Sequence, residues 1–300
     1  MRVAAVDLGT NTVLLLVADR ESSGQLTPVV ERAIVTRLGE GVDRTRKLAP
    51  AAIARTKACL EEYARVVQSL GAERIAVVAT SAMRDAQGGE ELRGEIRALF
   101  GVDPQVLSGD EEARLTFRGA LGGLSRAELT EVGVFDIGGG STEVIIGKTG
   151  RSQLEISFAE SFDVGSVRLT ERHGEDRTAL LDAARSAFGG VPDLPDGQAP
   201  VGVAGTMTTL AAVSLGLDTY DGARVHGHFM ERAELERVLD RLASLNLADR
   251  RNVAGMEPKR ADVIIAGGCL ALGLLDHWRA RGVVVSDRGV RWGLAEVLAS

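Results

Sequence analysis

Two short stretches of this chain share one pattern. Val3-Ala4-Ala5-Val6 runs into Asp7-Leu8-Gly9-Thr10-Asn11-Thr12 and then a second apolar run, Val13 to Val17. Val132-Gly133-Val134-Phe135 runs into Asp136-Ile137-Gly138-Gly139-Gly140-Ser141-Thr142 and then Glu143-Val144-Ile145-Ile146. Both read strand, Asp, aliphatic residue, Gly, small polar residues, strand, and they lie 129 residues apart. Strands joined by such a turn form a hairpin. A hairpin that recurs in this way is a weak internal repeat, and it predicts two related domains in a chain of 300 residues.

The rest of the chain alternates strands with helices, which predicts α/β layers. Further strand is expected over Val29 to Leu38, and a loop at 40–43. Pro50 to Leu70 reads as a helix, with Pro near its start, an apolar face at Ile53, Leu60, Tyr63, Val67 and Leu70, and Gly71 at its end. Ile75 to Ala79 and Val106-Leu107 read as strands, and Gly89 to Phe100 as a polar helix. Ser108 or Asp110 caps a further helix whose acidic first turn suits the helix dipole. One helical stretch is expected from Ser166 to Phe188, then a loop to Pro200 and a strand from Val201 to Ala204. Helices over Glu231 to Leu245 and Lys259 to Trp278, a strand at Val283 to Val285 and a last helix from Trp292 to Ser300 complete the pattern. The predicted division is a first domain over 1–124, a second over 125–289, and a terminal helix near 290–300 that returns to the first. Ligands of such a pair sit where the two Gly-rich turns face each other across a cleft.

Charge limits the partners. The net charge is −7; residues 1–124 carry 16 basic and 17 acidic side chains, and residues 125–300 carry 19 and 25. No diffuse basic face of the kind nucleic acid or an anionic membrane surface needs is implied. The longest nearly apolar run, Val263 to Leu275, is too short to span a bilayer. Asp7 interrupts the N-terminal apolar run, so no signal peptide is expected. Cys59 and Cys269 read as reduced core residues, and a cytoplasmic location follows. His226-Gly227-His228 has no third His or Cys at ligand spacing and reads as structural. No Gly-x-x-x-x-Gly-Lys-Ser/Thr loop and no Gly-x-Ser-x-Gly elbow is present.

Three sets of residues carry chemistry. The two turns can present backbone N–H groups as anion nests, with Thr10, Asn11, Thr12, Ser141 and Thr142 as added donors and Gly9, Gly138, Gly139 and Gly140 allowing close approach. A pair of nests implies a ligand with more than one phosphate. The carboxylates Asp7, Glu111, Glu112, Asp136 and Glu143 form the second set. The second hairpin brings Asp136 and Glu143 to one place, and hard carboxylates near phosphate suit Mg²⁺. Glu111 reads as a helix-start residue. The third set is Arg84, Arg260, Arg288 and Arg291 at the ends of ordered elements, where a guanidinium fork matches phosphate oxygens. Each is also readable as a structural arginine, and Arg260 with Asp262 as a local ion pair.

The order of Asp7-Leu8-Gly9-Thr10-Asn11-Thr12, Ser108-Gly109-Asp110-Glu111-Glu112-Ala113-Arg114-Leu115 and Asp136-Ile137-Gly138-Gly139-Gly140-Ser141-Thr142-Glu143 resembles the exopolyphosphatase/guanosine pentaphosphate phosphohydrolase (Ppx/GppA) family. Thr80-Ser81-Ala82-Met83-Arg84, Ala204-Gly205-Thr206, Val225-His226-Gly227 and Glu257-Pro258-Lys259-Arg260-Ala261-Asp262 extend the resemblance along nearly the whole chain. It implies two ribonuclease-H-like domains of the actin-like ATPase superfamily, in the short two-domain form. By this resemblance Glu112 is the general base that activates water, Asp136 and Glu143 assist with Mg²⁺ and the nucleophile, and Asp7 joins the metal site. The turns hold terminal phosphates, and Arg84 contacts substrate, with Thr206, Arg260 and Arg291 completing the expected phosphate site. The implied activity is Mg²⁺-dependent release of orthophosphate from the ends of polyphosphate. Hydrolysis of guanosine pentaphosphate is the alternative within the same chemistry, and a non-catalytic sensor of polyphosphate or guanosine tetraphosphate and pentaphosphate is another. A homodimer is also implied. Thr10 and Thr12 stand where Ser is common, and Trp292 where an acidic residue is frequent.

Overall fold

The first repeated stretch is a hairpin of β1 (Arg2–Leu8) and β2 (Thr12–Arg20), antiparallel, with Leu8 opposite Val13 and Asp7 opposite Leu14. The second is a hairpin of β6 (Val132–Ile137) and β7 (Thr142–Thr149), with Ile137 opposite Thr142 and Asp136 opposite Glu143. A computed structural model describes residues 1–80, 82–83, 86–124, 131–149 and 154–300. The chain divides into two units, Met1–Gly119 with Val290–Ser300, and Ala120–Gly289.

In the first unit β3 (Leu26–Val35) extends the hairpin, and β4 (Arg74–Ala79) and β5 (Gln105–Val106) add on the other side in parallel, giving the order β3-β2-β1-β4-β5. β3 ends at Val35, short of the expected Leu38. The Thr36 and Arg37 N–H groups turn to the Asn11 carbonyl instead, and Arg37 takes a left-handed φ of 52°. One helical turn, α1 (Val42–Thr45), follows where a loop was expected.

Strand alternation sends Ala4, Val6 and Leu8 to one face and Val3, Ala5 and Asp7 to the other. The first face is covered by α2 (Pro50–Leu70) and α3 (Gly89–Phe100). α2 buries Cys59, Leu60, Tyr63 and Val67; a fully buried Leu such as Leu60 contributes about 2 kcal/mol. The Tyr63 hydroxyl donates to the Val13 carbonyl at 3.0 Å, and Gly71 closes the helix with a φ of 65° that L side chains rarely adopt. The other face receives α4 (Gly109–Leu121) and α12 (Val290–Ala299), whose Trp292, Leu294 and Ala295 pack on Val3, Ala5, Leu16 and Val78.

The second unit repeats the plan. β8 (Leu154–Phe162) extends its hairpin, while β9 (Val201–Val203) and β11 (Gly282–Val285) run parallel to β6, with β10 (Phe229–Glu231) at the edge. The spatial order β8-β7-β6-β9-β11 therefore matches β3-β2-β1-β4-β5 of the first unit: an antiparallel three-stranded meander, then two strands added in parallel. The core is built by α5 (Ser166–His173), α6 (Arg177–Ala187), α7 (Ala204–Ser214), α9 (Arg232–Ala243) and α11 (Ile264–His277), with short helices α8 (Gly222–Val225) and α10 (Leu247–Arg251) between them.

Two long helices expected from the sequence are interrupted. Ser166 to Phe188 breaks at Gly174, and Asp176 caps the new start by accepting from Thr178 and Ala179 N–H at 3.1 Å. Lys259 to Trp278 breaks after a 3₁₀ turn at Pro258–Arg260. The Ala261 carbonyl is taken by Arg250 Nη1 at 3.0 Å, so the helical ladder restarts only at Ile264. Both cysteines are buried and unpaired, and burial pushes each thiol to about 11. No helix among the described residues is long and apolar enough to cross a membrane.

Candidate active site

The carboxyl ends of parallel strands are where ligands of open α/β sheets bind. In the first unit this edge gathers the Gly9–Thr12 turn after β1, Thr80 after β4, and the start of α4 after β5. Gly9 N–H closes the turn on the Thr12 carbonyl at 3.1 Å. The segment after β3 braces it from outside: Thr36 and Arg37 N–H bond to the Asn11 carbonyl at 3.0 and 2.9 Å, and Gly39 N–H to the Thr10 carbonyl at 2.8 Å. Thr10 and Asn11 are exposed, and Asn11 Nδ2 lies 3.4 Å from Thr12 Oγ1. Among the described residues no acceptor takes the Asn11 N–H.

Asp7 is 6% exposed and lies on the sheet face that α4 covers. The start of α4 separates two adjacent glutamates. Glu111 accepts from Ser108 N–H at 2.8 Å and from its hydroxyl at 2.9 Å, while Ser108 Oγ accepts from Glu111 N–H at 3.3 Å. This capping box holds the Glu111 carboxyl below the ordinary range, chiefly through the Ser108 N–H. Glu111 is thus occupied by the helix start. Glu112 follows on the same turn and is half-buried.

The second unit builds the same edge with a denser turn. Gly138 N–H closes on the Ser141 carbonyl at 3.0 Å, the counterpart of Gly9 and Thr12. The carbonyls of the three glycines all point to the start of α5. Ser166 N–H bonds to Gly138 at 2.9 Å, Val167 N–H to Gly139 at 2.9 Å, and Arg168 Nε to Gly140 at 2.9 Å. With the carbonyls held there, the Gly139 and Gly140 N–H groups have no acceptor among the described residues. Two adjacent amides in that state form an anion nest. Gly165 makes this possible, since a Cβ there would overlap the Gly139 carbonyl. We expect Gly165→Ala to cost about 1–3 kcal/mol in a thermal melt and to weaken phosphate binding at the turn. An unchanged melting temperature and substrate affinity would remove this account of Gly165.

Behind the turn, Asp136 and Glu143 stand directly opposite each other on β6 and β7, with Ser161 opposite Glu143 on β8. Like charges so placed repel. Ser141 and Ser161 hydroxyls donate to Glu143 Oε1 at 2.6 and 2.8 Å. Arg260 faces Asp136 electrostatically. Burial pushes its guanidinium down, while Asp136 and then Glu257 pull it up. A Cβ on Gly205 would overlap that guanidinium, so Arg260 lies across the first turn of α7.

The remaining expected residues divide. Thr142 is buried and donates to the Val164 carbonyl at 2.6 Å, and Thr206 donates to the Ile137 carbonyl at 2.9 Å; both hydroxyls hold the turn in place. Arg291 is 7% exposed and pairs with Glu31 at 2.6 Å, beside Trp292 Nε1 at 3.2 Å from the same oxygen. Glu31 sits opposite Leu16, mid-sheet, three residues short of the Ile34 that pairs beside the turn. Arg291 fastens α12 to β3 through this pair. Ser81 and Arg84 lie outside the described residues.

His226 is half-buried beside Ser286. Burial first, then Arg288, lowers its pKa to about 4, and Ser286 Oγ lies 3.2 Å from Nδ1. Among the described residues no group of three or more His, Cys, Asp or Glu is placed to hold a metal ion. A metal at the second turn would therefore rest on the Asp136 and Glu143 pair. That donor set fits Mg²⁺, which usually takes one or two carboxylates and fills its octahedron with water and phosphate oxygens. Sequence reasoning missed Gly165, Ser161 and Arg168. The alternation of Leu154 to Phe162 could have revealed Ser161; Gly165 has no local signal beyond being a glycine before a helix.

Comparison with known proteins points the same way. The model of the Ppx/GppA phosphatase family matches residues 16–298. Exopolyphosphatase 2 of Mycobacterium tuberculosis is 38% identical over 321 residues, covering 99% of this chain and 98% of that protein. Guanosine-5′-triphosphate,3′-diphosphate pyrophosphatase of Photobacterium profundum is 26% identical over 99% of this chain and 59% of that protein. The solved structure of the Aquifex aeolicus PPX-GPPA enzyme superposes with a TM-score of 0.84 at 30% identity, over 99% of both chains.

Proposed function

Since the chain belongs to the Ppx/GppA phosphatase family, we propose that it is an exopolyphosphatase that hydrolyses the terminal phosphoanhydride bond of inorganic polyphosphate and releases orthophosphate. The observation that carries this reading is the second turn: two adjacent unclaimed amides, Gly139 and Gly140, set just ahead of the opposed carboxylates Asp136 and Glu143. The amides suit a phosphate, and the carboxylates suit the cation that accompanies it.

Hydrolysis of a phosphoanhydride needs an in-line water and stabilisation of charge on the transferred group; positioning and electrostatics supply most of it. Glu112 acts as general base and takes the proton of the attacking water. Gly9, Thr10, Asn11 and Thr12 in the first unit, and Gly138, Gly139, Gly140 and Ser141 in the second, bind terminal phosphate oxygens. Arg260 offers its fork beside Asp136. Asp136 and Glu143 would hold Mg²⁺, and Asp7, at the matching place in the first hairpin, is the further proposed ligand. Bound there, Mg²⁺ would neutralise charge on the phosphoryl oxygens. Arg84 is a further substrate contact. A homodimer and a cytoplasmic site of action complete the proposal.

Polyphosphate is preferred over guanosine pentaphosphate because the relative covered almost end to end is an exopolyphosphatase. The test is phosphate release by the purified protein from polyphosphates of several lengths, with guanosine pentaphosphate alongside. Polyphosphate should be the better substrate by kcat/KM, and chelation of Mg²⁺ should abolish release. An overwhelming preference for the nucleotide would overturn the choice.

A further inference from the structure

The loop that braces the first turn carries a second feature, outside the residues assigned above. Residues 36–48 contain four basic and two acidic side chains in a protein whose net charge is −7. Arg37, Arg46 and Lys47 are exposed, and none of the three side chains has a hydrogen bond or ion pair among the described residues. The nearest acid in sequence to Arg37, Glu40, is already committed to Arg55 at 2.7 Å.

The backbone of this loop is pinned at both ends. At one end, Arg37 N–H bonds to Asn11 and Gly39 N–H to Thr10. At the other, Gln87 N–H bonds to the Arg46 carbonyl at 2.9 Å, and Leu48 N–H to the Gln87 carbonyl at 3.1 Å. Among the described residues only four non-glycine positions have positive φ, and Arg37 (52°) and Arg46 (55°) are two of them. A third, Ala204, opens α7 beside the second turn. Left-handed backbone is disfavoured for a long side chain, and Gly or Asn would fit at less cost. Strain of this kind is retained where a side chain is needed.

We infer that Arg37, Arg46 and Lys47 form a basic strip that binds the phosphates of a polyphosphate chain behind its terminal group, and so sets preference for long chains. The inference rests on the activity proposed above. The Arg37 backbone lies one hydrogen bond from Asn11, so its guanidinium is within a side chain's length of the first turn. Arg46 and Lys47 continue the positive charge along the same loop. A chain of phosphates one charge apart matches such a row, whereas a short substrate ends before reaching its far end.

The double variant Arg37→Gly/Arg46→Gly tests this, because glycine relieves the backbone at both positions. KM for chains of several hundred phosphates should rise about tenfold or more, and KM for tripolyphosphate should change less than about twofold. The melting temperature should be equal or higher. Calorimetric binding of long-chain polyphosphate should weaken by the same factor, and with a shallower salt dependence. Lys47→Ala should give a smaller shift in the same direction. Equal changes at both chain lengths, or unchanged long-chain KM and binding, would overturn the inference. Should wild type bind long chains without releasing phosphate, the proposed activity fails, and the binding arm still decides on the strip.

Discussion

We expect Glu112→Gln to lower phosphate release from polyphosphate by about 10²–10⁴-fold, with little change in melting temperature. The two side chains are nearly isosteric, and the helix start does not depend on Glu112: Glu111 holds the Ser108 box. On the proposed mechanism, what is lost is the carboxylate that takes the proton of water. The effect belongs in kcat, since an amide can still occupy the place of the acid beside bound substrate. The neighbour supplies the control. Glu111→Gln should weaken the cap by about 1 kcal/mol and leave turnover near wild type. Near wild-type release by folded Glu112→Gln protein would show that another group is the base.

The second large effect concerns stability. Arg250 is fully buried, and its guanidinium is saturated: Nη1 and Nη2 meet Glu175 at 2.6 and 2.8 Å, and Nε, Nη1 and Nη2 donate to the Leu242, Ala261 and Leu245 carbonyls. One side chain therefore ties the ends of α9 and α10, the break between α5 and α6, and the segment just after Arg260. Arg250→Ala empties that space and strands three carbonyls. We expect a loss of about 3 kcal/mol, the low end for a broken buried pair because Glu175 is about half exposed. In a unit of this size that lowers Tm by roughly 6–12 °C. Arg250→Lys should recover only part of it, because an ammonium cannot reproduce the fork. Arg250 holds the Glu175 carboxyl below its ordinary range. The pair's contribution is thus complete above the unfolded glutamate range and fades as pH falls through the lowered value. The gap between wild type and Arg250→Ala should narrow in acid; a constant gap, or equal melting at neutral pH, would contradict this account.

Residues whose neighbours are local were legible. The two hairpins followed from Asp-x-Gly turns between apolar runs, and their shared register, Leu8 with Val13 and Ile137 with Thr142, is what the repeat implied. Pro50, Gly71 and the Gly89–Phe100 pattern marked helices at the observed ends. The opposition of Asp136 and Glu143 followed from the hairpin alone. Features set by distant contacts were not legible. Arg291 follows a loop like a phosphate ligand, and only the path of β3 shows that Glu31 claims it. The break after Arg260 depends on Arg250 reaching the Ala261 carbonyl. Thr142 and Thr206 have the right hydroxyls in the right motifs, yet backbone carbonyls elsewhere in the unit consume them.

The return of α12 to the first sheet has a consequence for the order of events at the ribosome. Residues 120–289 form a contiguous unit, whereas the first unit needs Val290–Ser300 to cover Val3, Ala5, Leu16 and Val78. Domains commonly fold in the order of synthesis. Here the later unit can finish first, while the earlier one waits with an apolar sheet face open until residues 290–300 emerge. That interval, rather than the finished molecule, is where this chain is most exposed to aggregation and to chaperones.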